Sequence, residues 1–327
     1  MNKRILIIQR IIPNYRLPLF VELKNKYINL SIIYGQDRVK SSIKSTSDVQ
    51  KYDFIKRKKY FYFGEKIFVS FSAIIQALKS DIIIISNELG NFMLPILFLI
   101  KKFSKKKIIL WSFGYHPLKG FNPQKSFTDR IKLMFYKNSS AVIFYWKNGK
   151  ELIEQYVKNN EHFFIAPNSI DTRNLFRLRN QFEKVGVEII KKELKIQSKF
   201  HFIYVGRLLL DKQIDILLKA FSLLPTEDFS LTIIGDGPEK YNLLNLSQKL
   251  YLDNVIFAGS IYDDELIGKY IYISNAFCMP GRLGNSVIQS FCFGIPIISQ
   301  NKDHFYHGEG IGYTVDNFNS FLVQDGS

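Results

Sequence analysis

The sequence predicts an α/β protein made of two doubly wound domains, each a mostly parallel sheet covered by helices on both faces. Short apolar runs alternate with longer stretches of helical spacing, and the second half of the chain repeats the plan of the first. Two glycine clusters, Val205-Gly206-Arg207-Leu208 and Gly235-Asp236-Gly237-Pro238, each sit where an apolar run gives way to a helical pattern. That is where an open α/β sheet places a phosphate- or nucleotide-binding loop. At 327 residues and 46% hydrophobic composition the chain exceeds one ordinary domain and can fill two cores.

In the first half the strand candidates are residues 4–9, 30–34, 81–86, 107–111 and 141–146. Nearly all are continuous apolar runs, as expected of parallel strands buried on both faces. The second half offers 200–205, 229–234, 254–258, 276–279 and 295–299, separated by helices such as 212–224 and 238–250. Polar, helix-favouring residues from 173 to 199 join the halves, which gives domains at 1–180 and 181–327. Ligands are expected in a cleft between the two, at the carboxyl ends of the strands of both.

Cys278 and Cys292 are too few for a disulfide framework and have no metal-ligand company, which fits a reducing cytoplasm and argues against a structural zinc site. The apolar run Ile5 to Ile8 is too short for a signal peptide and reads as a first buried strand. The longest apolar run, Phe92 to Ile100, holds Pro95 and is only nine residues, against the roughly 20 that span a bilayer.

Net charge is +16 and unevenly spread. Residues 1–180 hold 32 Lys and Arg against 12 Asp and Glu, a net +20; residues 181–327 hold 13 against 17, a net −4. A bias toward Lys, Ile, Asn, Phe and Tyr acts on both halves alike, so it does not account for the asymmetry. A basic face suits anionic lipid or nucleic acid. Lys56 to Phe63 and Phe98 to Lys107 interleave cations with aromatics, which suits a lipid interface, with a solvated face over buried aromatics as the plainer alternative. No nucleic-acid module accompanies the charge.

Arg207 and Lys212 are spaced to reach one diphosphate, the lysine from the first turn of the following helix, where the dipole favours anions. The plainer alternative is surface pairing with Asp211 or Asp215. The surrounding residues resemble a family: the retaining glycosyltransferases of the GT-B fold, glycosyl transferases group one (family four) type. The resemblance is carried by residues 205–221 (VGRLLLDKQIDILLKAF), 231–239 (LTIIGDGPE), 254–259 (NVIFAG) and 280–299 (PGRLGNSVIQSFCFGIPIIS). Residues 13–20 (PNYRLPLF) resemble the P-x-Y-R-x-P-x-F entry of many members, and Pro167 to Asp171 the P-N-x-x-D that closes their first domain.

The resemblance implies two Rossmann-like domains, a first that binds acceptor and a second that binds a nucleotide-sugar. It implies that Arg207 and Lys212 hold the donor diphosphate and neutralise its developing charge, that Gly206 admits the donor to the backbone, and that Gly235 and Gly237 keep the second loop tight. Asp236 is expected to hold its loop through backbone hydrogen bonds. No metal or other cofactor is called for.

One segment departs from the family. Counting back from Gly294-Ile295-Pro296, its two glutamates fall on Gly281 and Gln289. Gln289 can still bond a ribose, while Gly281 offers backbone only. A subgroup with P-G-x-x-G in place of the first glutamate looks similar. Arg282, Gly284, Asn285 and Ser286 complete the donor set, at the start of a helical run over 285–293.

His116 follows a strand of the first domain. Its type suits proton transfer from an acceptor hydroxyl, a hydrogen bond to the donor sugar, or no more than a loop. His307-Gly308-Glu309 is expected to approach the donor from the third strand-end loop, and Tyr15 and Arg16 are placed on the acceptor side. Together these imply transfer from a nucleotide-sugar, UDP-linked, to a lipid-linked glycan in O-antigen or capsule assembly. The enzyme would be cytoplasmic, peripheral at the inner face of the membrane, with no nucleic-acid partner. The rivals are a basic nucleic-acid binder and an inactive or truncated relative that acts as a membrane scaffold, suggested by Gly281, Gln289 and the end of the sequence soon after Val323.

Overall fold

The computed structural model describes residues 3–36, 45–64, 67–88, 90–115, 120–301 and 307–324. The chain forms two compact units that meet in sequence at Ile170 and Asp171. The first holds strands β1 (Ile5–Gln9), β2 (Leu30–Tyr34), β3 (Ile55–Arg57), β4 (Phe61–Phe63), β5 (Ile67–Val69), β6 (Ile82–Ser86), β7 (Lys107–Ser112), β8 (Ala141–Phe144) and β9 (Phe163–Ile165). Its helices are α1 (Leu17–Lys26), α2 (Phe71–Leu78), α3 (Met93–Lys102), α4 (Phe127–Asn138) and α5 (Lys147–Glu154).

Seven of these strands form one sheet in the order β3-β2-β1-β6-β7-β8-β9, and every pairing in it is parallel. The apolar runs dictate this, since a strand with Leu6, Ile7 and Ile8 all buried needs cover on both faces. The order reverses between β1 and β6, where Ile5 pairs with Ile82. β4 and β5 form a separate antiparallel hairpin. Tyr60, within the run of interleaved cations and aromatics, is core, as the alternative of a solvated face over buried aromatics has it: its ring stacks on Phe68 at 5.9 Å and its hydroxyl donates to the Gln9 carbonyl at 2.9 Å.

The second unit holds α6 (Arg173–Val185), α7 (Val187–Glu193), β10 (Phe200–Val205), α8 (Ile214–Phe221), β11 (Phe229–Ile234), α9 (Lys240–Lys249), β12 (Val255–Gly259), α10 (Asp264–Tyr272), β13 (Ala276–Met279), α11 (Ser286–Cys292), β14 (Ile297–Gln300) and β15 (Ser320–Val323). Its six strands run β12-β11-β10-β13-β14-β15, again parallel, and reverse between β10 and β13. Each unit is thus a doubly wound, Rossmann-like sheet with one switch point at its carboxyl edge.

The segment expected to join the halves is not a linker. Leu175, Leu178 and Phe182 recur at helical spacing along α6 and are buried. Phe182 stacks on Phe293 at 6.0 Å and lies 5.7 Å from Tyr272, so α6 belongs to the second unit and residue 180 falls inside it. The polar residues of α6 mask a stripe of only three apolar side chains, the usual pattern of a helix with one covered face.

Candidate functional site

In the second unit the turns after β10, β11 and β13 and the turn after β14 pack backbone to backbone. Gly206 N donates to the Ile234 carbonyl at 3.0 Å, Gly235 N to that of Gly259 at 2.8 Å, and Leu208 N to that of Asp236 at 3.0 Å. Gly235 has φ +149°, and a Cβ on it would lie 1.8 Å from the Gly206 carbonyl oxygen. A side chain there cannot coexist with this loop. Asp236 accepts from Gly237 N at 2.7 Å and from Lys240 Nζ at 2.9 Å. The Lys240 bond, then that of Gly237, holds the Asp236 carboxyl below its ordinary range.

Across the switch point, Gly281 N donates to the Lys212 carbonyl at 3.0 Å and Arg282 N to that of Asp211 at 2.9 Å. Lys212 Nζ returns a hydrogen bond to the Arg282 carbonyl, and the Arg282 guanidinium lies 3.7 Å from the Asp211 carboxylate. Asp215 pairs with Lys219 at 3.0 Å. A Cβ on Gly281 would sit 2.3 Å from the Asp211 carbonyl oxygen, so glycine is needed for this close approach. Its N–H is committed to Lys212, so position 281 offers a ligand neither a carboxylate nor that donor.

Lys212 lies in a 3-10 turn, Leu210–Lys212, rather than in the first turn of the helix as its spacing suggested. Gln213, left-handed at φ 52°, separates that turn from α8. The ammonium is 3.8 Å from where a Cβ on Gly284 would be, which puts it beside the start of α11. Asn285 occupies the N-cap position of α11 without a side-chain capping bond, Ser286 begins the helix, and half-buried Gln289 follows Asn285 by four residues on the same helical face. Arg207 is exposed; its carbonyl is held by the hydroxyl of buried Tyr204 at 3.0 Å.

His307, met in the sequence as a loop residue, is a buried strut. Nδ1 accepts from Leu283 N at 3.4 Å, so Nε2 carries the proton and donates to the Gln300 carbonyl at 3.1 Å. Gly308 and Gly310 complete the contact, since a Cβ on either would lie 2.6 Å from the carbonyl oxygen of Leu283 or Gly284. No local pattern marks this histidine, because both its partners are backbone groups brought in by the fold. Gly281, Arg282, Gly284 and the start of α11 are thus gathered around Lys212, while Gly206 and Gly235 pack on each other in the neighbouring turns and Arg207 lies on an exposed turn.

In the first unit, Tyr15 and Arg16 lie in a 3-10 turn, Asn14–Arg16, soon after β1. Arg16 donates to Gln9 Oε1 at 3.1 Å and to Asn168 Oδ1 at 3.4 Å. Its guanidinium carbon lies 5.1 Å from the Trp111 ring, 5.5 Å from Tyr145 and 5.6 Å from Tyr15. Residues 13–20 and 167–171, far apart in sequence, therefore meet at this arginine. His116 lies outside the described residues. Among the described residues, no group of three His, Cys, Asp or Glu side chains is placed to hold a metal ion, and no helix is long and apolar enough to cross a membrane.

Two parallel sheets of this strand order in one chain define the GT-B class of fold, and solved structures of that class align along almost the whole chain. HepE of Anabaena, solved with UDP, aligns over 99% of this chain and 86% of its own at TM-score 0.71 and 16% identity; the same protein has been solved with UDP-glucose. WaaG, a glycosyltransferase involved in lipopolysaccharide biosynthesis, aligns over 98% of this chain and 86% of its own at TM-score 0.64 and 11% identity. Residues 187–317, within the second unit, match the family model described as glycosyl transferases group 1. Two uncharacterized glycosyltransferases of Methanocaldococcus jannaschii are 25% and 28% identical over 73% and 69% of this chain. The chain spans about three-fifths of those relatives, 60% and 57% of their length.

Proposed function

We propose that this chain is a retaining glycosyltransferase that moves a sugar from a nucleotide-sugar, UDP-linked, to a lipid-linked glycan acceptor. The observation that carries the reading is the contact across the β10–β13 switch point, where Lys212, carried by the turn after β10, packs its backbone and its ammonium on the turn after β13 that leads into α11. The match of residues 187–317 to glycosyl transferases group 1 supports it, as do the UDP and UDP-glucose complexes of HepE.

As the bond between the sugar and the diphosphate breaks, negative charge builds on the leaving oxygen. In this reading Lys212 and Arg207 meet that charge, with the start of α11 beside them and no metal ion required. Asn285, Ser286 and Gln289 face the nucleotide, Gln289 toward the ribose. Tyr15 and Arg16 belong to the acceptor side, with Arg16 fixed by Gln9, Asn168 and three rings. The lipid-linked acceptor places the enzyme at the inner face of the cytoplasmic membrane, in surface-polysaccharide assembly such as O-antigen or capsule, a setting that WaaG's part in lipopolysaccharide biosynthesis supports.

Donor hydrolysis by the purified chain over UDP-, GDP- and dTDP-sugars tests the reading. UDP-sugar turnover should fall ~100-fold in Arg207→Ala and in Lys212→Ala, the scale of losing one preorganised charge donor. Wild-type rates in both variants would remove the diphosphate assignment. Nucleotide binding without turnover of any donor or transfer to any acceptor would leave a scaffold.

A further inference from the structure

We propose that α2 and α3 of the first unit form a membrane-insertion face, whose outer apolar stripes enter the acyl region of an anionic leaflet while nearby lysines hold its headgroups. This rests on the reading that the acceptor is lipid-linked, and it makes hydrophobic insertion, not charge alone, the anchor.

A helix that covers one face of a sheet is expected to be apolar inward and polar outward. α2 is apolar on both sides. Ala73 and Ala77 are buried, while Phe71, Ile75 and Leu78, spaced by four and three residues, are 60%, 56% and 50% exposed, and the helix carries no charged residue. α3 repeats the arrangement. Met93, Leu94 and Leu97 are buried; Ile96, Leu99 and the C-cap Phe103 point outward, the last two 61% and 78% exposed. The two helices pack on each other. The β4–β5 hairpin extends the face, since the Phe61 ring meets Phe71 edge-on at 5.8 Å and Phe63 is exposed. Single exposed apolar side chains are ordinary, but parallel stripes on neighbouring helices mark an interaction surface.

Charge selects the occupant. The first unit, residues 1–170, holds 29 Lys and Arg against 11 Asp and Glu. Lysines gather where α2 and α3 end, and the structure divides them into two kinds. Lys106 Nζ donates to the Leu78 and Ser80 carbonyls at 2.7 and 2.6 Å, and Lys101 Nζ to the Asn138 carbonyl, so these two tie elements together. Lys79, Lys102, Lys105 and Lys107 are exposed beside the stripes. A second copy of the same face would set lysine against lysine. A leaflet offers the reverse, an apolar interior edged by negative headgroups.

The test uses the whole chain with vesicles of zwitterionic lipid, alone or with one-third anionic lipid. Three proteins are compared: wild type, a stripe variant (Ile75→Ser, Leu78→Ser, Leu99→Ser, Phe103→Ser) and a lysine variant (Lys102→Gln, Lys105→Gln, Lys107→Gln). Wild type should partition to anionic vesicles. The stripe variant should bind at least tenfold more weakly at low and high salt, and the lysine variant more weakly at low salt only, both with unchanged donor hydrolysis. In a separate Leu99→Trp protein the new emission should be quenched by lipid brominated in its acyl chains; Trp111 and Trp146 are buried and give a steady background.

Stripe-variant binding equal to wild type, with only the lysine variant impaired, would overturn insertion and leave electrostatic docking and the lipid-linked reading in place. No vesicle binding by wild type with donor turnover intact would overturn both insertion and membrane docking, but not glycosyl transfer. Self-association of wild type that the stripe variant loses, without vesicle binding, would overturn the proposal in favour of a second copy.

Discussion

In the second unit the turns at the carboxyl edge of the sheet are backbone on backbone, with Gly235 and Gly281 seated against the carbonyls of Gly206 and Asp211. In the first unit the turn after β1 instead lodges a half-buried arginine among three aromatic rings and two amide side chains. Both sheets reverse strand order once, between β1 and β6 and between β10 and β13, so the scaffold does not cause the difference. The fold supplies a place for a ligand, and the residues at that place supply its chemistry. Glycine-lined turns let main chain pack directly on main chain and tolerate almost no substitution. A turn built from side chains can change its surface one residue at a time.

If that contrast holds, Gly235→Ala is the most damaging change. Its Cβ would lie 1.8 Å from the Gly206 oxygen at φ +149°, and strain plus displacement of the neighbouring loop should cost about 4 kcal/mol. Urea unfolding should show a lowered midpoint, with donor turnover lost; a near-normal midpoint would mean the loops are looser than drawn.

Acid should next separate the two units. Burial, then Lys191, pushes the His201 imidazole down from 6.5 to about 4, and Nδ1 bonds Ser230 Oγ at 2.8 Å. Below pH 6.5 the unfolded chain takes up a proton that the folded one refuses, so stability falls as pH drops from 6.5 to 4 and levels off below. That depression corresponds to about 3 kcal/mol. His201→Leu should flatten this slope in unfolding curves taken from pH 4 to 7; an unchanged slope would assign it to other groups.

Arg16→Ala should cost about 2 kcal/mol, since it removes the hydrogen bonds to Gln9 Oε1 and Asn168 Oδ1 and takes the cation from the Trp111 ring. The loss should appear in unfolding of the first unit with nucleotide affinity unchanged. Arg16→Lys should recover less than half of it, because an ammonium lacks the planar fork. Weakened nucleotide binding in Arg16→Ala would break the division of labour between the units. The smallest effect belongs to Gln289→Ala, about 1 kcal/mol of UDP affinity by calorimetry, the worth of one hydrogen bond. An unchanged value would place the ribose away from this face of α11.

The long strands were legible because each is a continuous apolar run that only burial on both faces explains; β1, β2, β6, β10 and β11 lie within a residue of where the pattern put them. The short ones, β3, β9 and the β4–β5 hairpin, are three residues each, too brief for periodicity to register. The glycine turns were legible for the same local reason, since a glycine after an apolar run announces a close approach. Arg16's ring cage, the Lys212–Arg282 contact and the His307 strut were not, because each depends on a partner far away in sequence: Asn168 lies 152 residues from Arg16, Arg282 70 from Lys212 and Leu283 24 from His307.

By itself, then, the sequence determined the alternation of strand and helix, the two sheets, the basic first half and the turns that require glycine, all of which follow from patterns spanning a few residues or from simple sums of charge. Only the tertiary structure decided that α6 belongs to the second unit, that Tyr60 is core, that Lys101 and Lys106 are spent on carbonyls, and that the outer stripes of α2 and α3 are left uncovered. Each of those depends on which neighbour a side chain meets across the fold, and a helix with apolar residues on two faces does not reveal, until it is packed, which of them is buried.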